Sequence, residues 1–520
     1  MANASDPVVP LTAAELATID HLNKTLTKDQ IIAKIRALLE TAITVELATI
    51  PIYLFAYYSI NRKPTSNNSA MNPPGPASGG AKPAIPDSVD AQRAQELQIF
   101  ANQAGAAIMS VAVEEMLHMS LSSNMLYAFG GVPELYRKSP GPPNGPHYPV
   151  DLPGHAKLGP DHKPMLIPLA PLSYEQLWKF LEIEWPETPG AVPEDANFKT
   201  IGQIYSYIRC LICTDAMKDY AFGATENQLQ PEYYSPNNID TIYPTAAFDQ
   251  SLPAPRPGSQ PTVPPSAAMV AKFEDANDSH AGIQPLLTID SLEKAQQAIA
   301  TICDQGEGYN PHSIDPDDDP SEDEESHYYK FLALQACLEK PIGYKEPKKG
   351  PKPPAPGIKP ITPVELAYFV FPFPENPTTR NDEIPGGGIS YEKEVERAIS
   401  DALNGLYQYM LILTETSFKV SGLQQKKLFY QGMHMSMMWI MDKMIQEMRG
   451  FSLKNQGKPY VLAPTFENFD LGPRESAFAT LKGLAETAIE VVERFKEYRS
   501  VIYYLKLFAK LPDVSAIWTA

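Results

Sequence analysis

Val111-Ala112-Val113-Glu114-Glu115-Met116-Leu117-His118 sets two carboxylates and an imidazole inside an apolar run. Glu115 precedes His118 by three residues and Glu114 by four, so either shares a helix face with the imidazole one turn on. The three-residue spacing returns at Glu324 and His327. Two helices that each give Glu-x-x-His, with two more that each give a Glu, compose the ligand set of a carboxylate-bridged dimetal site in a four-helix bundle. The sequence offers Glu46 for one of the remaining carboxylates, and Glu307 or Glu184 for the other. One Glu-x-x-His is common, but two in this order, with matching carboxylates, form a specific pattern. Imidazole and carboxylate together suit iron or manganese, with positions left open for oxygen or substrate.

Upstream, Leu38-Leu39-Glu40-Thr41-Ala42-Ile43-Thr44-Val45-Glu46-Leu47-Ala48-Thr49-Ile50-Pro51-Ile52-Tyr53 is apolar nearly all round, which predicts a central helix over about 28–60. A carboxylate buried there needs a partner, a proton or a metal. Taken alone, Glu46 reads as a core salt bridge or hydrogen bond; the set of residues favours a ligand. Glu40 lies some 240° round the helix from Glu46 and cannot face the same centre. Pro51 removes a backbone hydrogen bond and predicts a kink just beyond Glu46.

A second helix is expected from an N-cap at Asp87 or Ser88 to Gly130-Gly131, carrying the 111–118 motif. Tyr174, Leu177, Leu181 and Glu184 fall in one phase of a helix over 173–185 that Pro186 follows. Helices over 201–217 and 289–305 come next; the phase of Leu292, Ile299 and Ile302 would carry Glu307 inward, with Glu184 as the other choice and Glu182 outward. The helix holding His327 follows the acidic run Asp315 to Glu325, which also reads as a solvated loop around Glu324. Three amphipathic helices, about 391–418, 422–449 and 474–508, close the chain, and no alternating pattern calls for a sheet.

The 52 prolines among 520 residues are about twice the usual share and gather in connectors at 62–90, 138–171, 231–266 and 340–363. The expected organisation is a metal-binding bundle over 28–340 with long Pro-rich insertions, and a C-terminal helical region over 363–520. A net charge of -19 argues against nucleic acid or an anionic membrane as partner. No basic, apolar leader opens the chain and no uncharged apolar run of membrane-spanning length occurs, so a cytoplasmic protein is expected. Cys210 and Cys213 sit in a helical apolar pattern and read as core packing rather than a metal or redox pair. Met433-His434-Met435-Ser436-Met437-Met438-Trp439 reads likewise as adaptable packing rather than haem or copper ligation.

Several blocks resemble the ferritin-like iminophenyl-pyruvate dimer synthase family, which includes proteins of the violacein and rebeccamycin pathways. They are Glu46 to Leu54, Val113 to Met119, Asn124-Met125-Leu126 before Phe129-Gly130-Gly131, and Phe180 to Glu187. Thr200-Ile201-Gly202 with Tyr205, Gln305 to Gly308, His327-Tyr328 with Phe331, and Ala463 to Glu467 follow in order. The resemblance implies an all-α, ferritin-like four-helix bundle and a role in specialised metabolism. It favours Glu46, Glu115, His118, Glu307 and His327 as site residues, with Glu184 a further candidate. Members are more acidic after Thr-Ile-Gly, where this chain has Ile208-Arg209, so the 201 helix is not expected to give a ligand.

The leading expectation is an oxygen-dependent oxidoreductase with two irons per chain, acting on a small organic substrate. The family's namesake chemistry is the alternative: oxidative coupling of two imino acids derived from an aromatic amino acid. A non-catalytic metal-binding bundle is a third reading.

Overall fold

A computed structural model describes residues 10–62, 83–136, 148–152, 166–187, 190–196, 198–231, 286–307, 326–346, 357–380, 388–453 and 459–519. The expected ligand Glu324 lies outside these residues, as does part of each Pro-rich connector.

After α1 (Ala13–Thr25), the long helix α2 runs over Lys28–Tyr58. Thr27 starts α2 through a capping box with Gln30, and the helix continues through Pro51. It is long and apolar enough to cross a membrane by length and composition, yet its faces are largely packed inside the protein. The next helix, α3, spans Ala91–Ala128, and its N-cap is Asp90 rather than Asp87 or Ser88. The Asp90 carboxylate accepts from the Arg93 amide at 3.0 Å, and a Ser88 start would have forgone that bond. Helices α4 (Tyr174–Ile183) and α5 (Ile201–Ile212) follow, capped by Ser173 and Thr200. The expectation of one helix to 217 fails at Cys213, where Thr214 turns its hydroxyl back to the Leu211 carbonyl at 2.8 Å. Helix α6 is Leu292–Glu307; Ser291 Oγ accepts from the Lys294 amide, which delays the start past 289. Helix α7, His327–Ala336, begins on the histidine itself.

Helices α2, α3, α6 and α5 pack in a ring, each against the next, and so form a four-helix bundle. Alongside it, α4 packs on α7, and α7 packs on α3 and α6. Two small two-stranded sheets occur among the described residues, Val150–Asp151 with Leu166–Ile167 and Pro377–Thr378 with Ile389–Ser390.

In the C-terminal part, α8 (Glu394–Ser417) packs on α9 (residues 422–448) and α10 (Ala477–Glu493). Helix α9 covers residues 422–448, and its middle, Leu428–Met441, is a π-helix between two α-helical ends. The third expected helix is shorter than 474–508, because 3-10 turns succeed it from Lys496. This part shares one hydrophobic core with the bundle. Arg449 donates to the carbonyls of Tyr58 and Ile60 at 3.0 and 3.1 Å, covering the end of α2 where helix carbonyls lack partners.

Candidate metal centre

Five acid and imidazole side chains from four helices meet inside the protein. Glu46 comes from α2, Glu115 and His118 from α3, Glu184 from the residue that ends α4, and His327 from the first residue of α7. All are at most 2 % exposed. They fall into two groups that could hold a metal ion, Glu46 with Glu115 and His118, and Glu115 with Glu184 and His327. The donor atoms of each group lie within 4.8 Å of one another, and Glu115 belongs to both. The spacing that aligned Glu115 with His118 thus also sets Glu115 between the imidazoles, whose rings stack with centroids 5.4 Å apart.

Glu307 ends α6, and its side chain lies outside the described residues. Glu184, the other alternative, lies beside His327, its Oε2 3.5 Å from Nδ1. Glu182, expected to face outward, is buried but pairs with Lys179 at 2.7 Å instead of joining the cluster. From α5 comes a phenol and no acid: Tyr205 Oη donates to Glu46 Oε1 at 3.1 Å and meets Ser122 Oγ at 2.8 Å. Tyr53, two turns beyond Glu46 on α2, donates to Glu184 Oε1.

Partners of the imidazoles set which nitrogen each turns inward. His118 Nε2 lies 3.0 Å from Gln305 Oε1; with that amide oxygen as acceptor, the proton is on Nε2 and the Nδ1 lone pair faces Glu115, 3.9 Å away. His327 Nε2 donates to Glu114 Oε2 at 2.8 Å, and the same oxygen accepts from Lys330 Nζ at 2.7 Å. His327 Nδ1 then faces Glu115 Oε1 at 3.0 Å without forming a hydrogen bond. Glu114 is therefore a partner behind the imidazole, of the kind that fixes tautomer and ring direction at metal sites. Sequence reasoning missed Lys330, although its place three residues after His327 on one helix face was available as a signal.

Burial and close packing set the acids of the cluster apart in their affinity for protons. Burial, reinforced by Glu115, pushes the Glu46 carboxyl well above the usual range. Burial and Glu115 raise Glu184 to about 7, and its place at a helix C-terminus, the negative end of the dipole, also disfavours an anion. Burial would raise Glu115 as well, but hydrogen bonding with Glu46 and the His327 imidazolium hold it at about 2. Against the same burial, Lys330 and His327 hold Glu114 at about 2. His118 drops to about 4 through burial, leaving a neutral imidazole able to act as a ligand. For His327 burial works downward, and the surrounding carboxylates overcome it and raise the imidazole well above its ordinary value. Glu46 Oε2, Glu184 Oε2 and His327 Nδ1 are buried without a hydrogen-bond partner. Carboxylate oxygens converging on Nδ1 fit a metal ion that takes the place of the His327 proton.

Sequence comparison places this geometry in a family. A family model described as ferritin-like matches residues 39–253 and 265–336, more than half of the chain. The chain belongs to the ferritin-like family. Its helical bundle is accordingly a ferritin-like fold, with the cluster inside the matched segments. A solved ferritin like protein from Caulobacter vibrioides is similar to this ferritin-like chain at 16% identity, over 81% of this chain and 96% of its own, with a TM-score of 0.37. No curated protein matches the chain.

Cys210 and Cys213 are free thiols; Cys210 is buried and lies 3.7 Å from the Glu15 carbonyl. Burial raises both thiols, which disfavours the thiolate a metal or redox role requires.

Proposed function

We propose that this ferritin-like chain is a non-haem di-iron oxidoreductase that uses molecular oxygen on a small organic substrate of specialised metabolism in the cytoplasm. The observation that carries the reading is the place of Glu115 in both ligand groups, since a carboxylate shared by two sites is suited to bridge two ions. Glu46 and His118 would hold one ion, Glu184 and His327 the other. Glu307 and Glu324 are the carboxylates that the sequence spacing offers to the remaining positions. Bound there, the ions would supply oxygen activation and the redox equivalents for the substrate.

The chain's own groups prepare the site in definite ways. Glu114, anchored by Lys330, keeps the Nε2 proton of His327 and turns Nδ1 inward. Gln305 does the same for His118. Tyr53 and Tyr205 each fix one carboxylate oxygen and leave the other for the centre. Burial of the whole set excludes bulk water, so each of these interactions acts in a medium of low polarity.

The blocks Glu46 to Leu54 and Val113 to Met119 favour a second reading, oxidative coupling of imino acids from an aromatic amino acid. Metal analysis of the purified protein with an absorption spectrum tests both. Near two irons per chain with no Soret band supports the di-iron centre. Stoichiometric haem, or an intact fold that takes up no metal, overturns it. Manganese at both positions would change the metal but keep the site. Oxygen uptake by the reduced, loaded protein then separates an enzyme from a non-catalytic metal-binding bundle.

A further inference from the structure

A second chamber lies between α2 and α3 on one side and α8 and α9 on the other. It holds about 630 Å³ of non-atom space, open solvent included. None of the clustered acids and imidazoles lines it. Its α2 and α3 walls come from residues interleaved with the cluster: Leu47 and Ile50 beside Glu46, and Met116 beside Glu115.

Three observations say what would fill it. First, no aspartate, glutamate, lysine or arginine lines the chamber, whose polar groups are the Thr414 hydroxyl, the Tyr407 phenol and the His434 imidazole. The Thr414 hydroxyl in the wall already donates to the Met410 carbonyl at 3.0 Å. A cation would lose its hydration there with no carboxylate to compensate, and an anion would meet no lysine or arginine. Second, Met116, Met119, Met410, Met433 and Met437 line it, five of the chain's 17 methionines on one small surface. Unbranched thioethers adapt to a guest and make favourable contacts with aromatic rings, and Tyr407 and Phe429 add rings of their own. Third, the α9 wall is built from the π-helix Leu428–Met441, which supplies Phe429, Met433 and Met437. A π-helix is a rare and costly choice that ordinarily extends for a single turn, and it concentrates at functional sites. Here it runs for 14 residues along the chamber.

We propose that this chamber is a binding site for a neutral, apolar aromatic molecule, separate from the candidate metal centre. The methionine run that the sequence offered as ordinary packing is, in this reading, the adaptable wall of that site.

The test uses the full chain and N-phenyl-1-naphthylamine, a neutral aromatic fluorophore that brightens in apolar surroundings. The expected result is saturable binding of one fluorophore per chain. In protein labelled at the methionine methyls, the fluorophore should shift the NMR signals of Met116, Met119, Met410, Met433 and Met437 and leave methionines remote from the chamber unmoved. Met433→Trp, which fills the space, should weaken binding at least tenfold, with circular dichroism reporting that the variant is folded. His118→Ala should bind the fluorophore as the parent does even where it loses metal, so failure of the metal reading leaves this result intact. Absence of saturable binding overturns the proposal. So does binding that leaves those five methyl signals in place, whether or not Met433→Trp folds.

Discussion

Lys330→Met isolates the ion pair that stands behind the candidate metal centre. Lys330 is 2 % exposed, and its ammonium lies 2.7 Å from Glu114 Oε2, which also receives the His327 Nε2 proton. Methionine nearly preserves the side-chain volume while removing the charge. Glu114 would then be a buried anion paired with the His327 imidazolium alone, and breaking a buried pair by removing one partner costs about 3–5 kcal/mol. Replacing both charges differs in kind, because a neutral buried pair of similar shape is often tolerated. Glu114→Gln with Lys330→Met keeps an oxygen for the His327 proton and should cost only about 1–2 kcal/mol. The double should therefore cost less than the two singles together by more than about 2 kcal/mol, the mark of contacting residues. The assay is urea unfolding of the metal-free protein followed by circular dichroism. Singles that add without coupling, or a Lys330→Met cost below about 1 kcal/mol, would refute the idea that Lys330 neutralises Glu114.

Three further outcomes can be checked. Glu115→Ala and His118→Ala should each strip most of the metal, whereas Glu114→Ala should keep it with affinity reduced about 10–100-fold, as for loss of a group that orients a ligand. Elemental analysis decides, and a Glu114→Ala protein emptied while Glu115→Ala stays loaded would reverse the choice of ligand. Iron at about 100 times its dissociation constant should stabilise the fold by about 2.7 kcal/mol, and an unchanged melting temperature would argue against binding to the native state. Glu365, hydrogen-bonded through both oxygens to Arg93 at 2.8 and 3.0 Å, is held at about 2 by that guanidinium. Its folded value is depressed, so the stabilisation is fully present above the ordinary carboxylate range and is lost as pH falls toward 2. Glu365→Gln should flatten that acid limb of the stability profile, and a limb of unchanged steepness would remove Glu365 as its source.

Much of the helical framework was legible from local chemistry. An apolar run predicts a buried helix, and α2 with Glu46 inside it is buried. Glu115 and His118 could be paired from three-residue spacing because helix geometry alone brings them to one face. Caps were legible only roughly: Asp90, Asp87 and Ser88 are all good N-caps, and the Arg93 amide is what selects Asp90.

Other parts depended on distance across the fold. The meeting of Glu184 with His327 joins the end of α4 to the start of α7, a contact that no periodicity encodes. Spacing leaves Glu114 and Glu115 both on the face of His118, and only the approach of α7 gives Glu114 to Lys330 and the far side of His327. The methionines of α9 read as packing in one dimension; the chamber exists because α8 and α9 lie against α2 and α3. Sequence by itself determined which faces are buried and which residue types stand on them, because those follow from helix period and transfer free energy. Tertiary structure alone decided which buried acids share a centre and which are held apart, because the energy of a charge depends on what stands within a few ångströms of it.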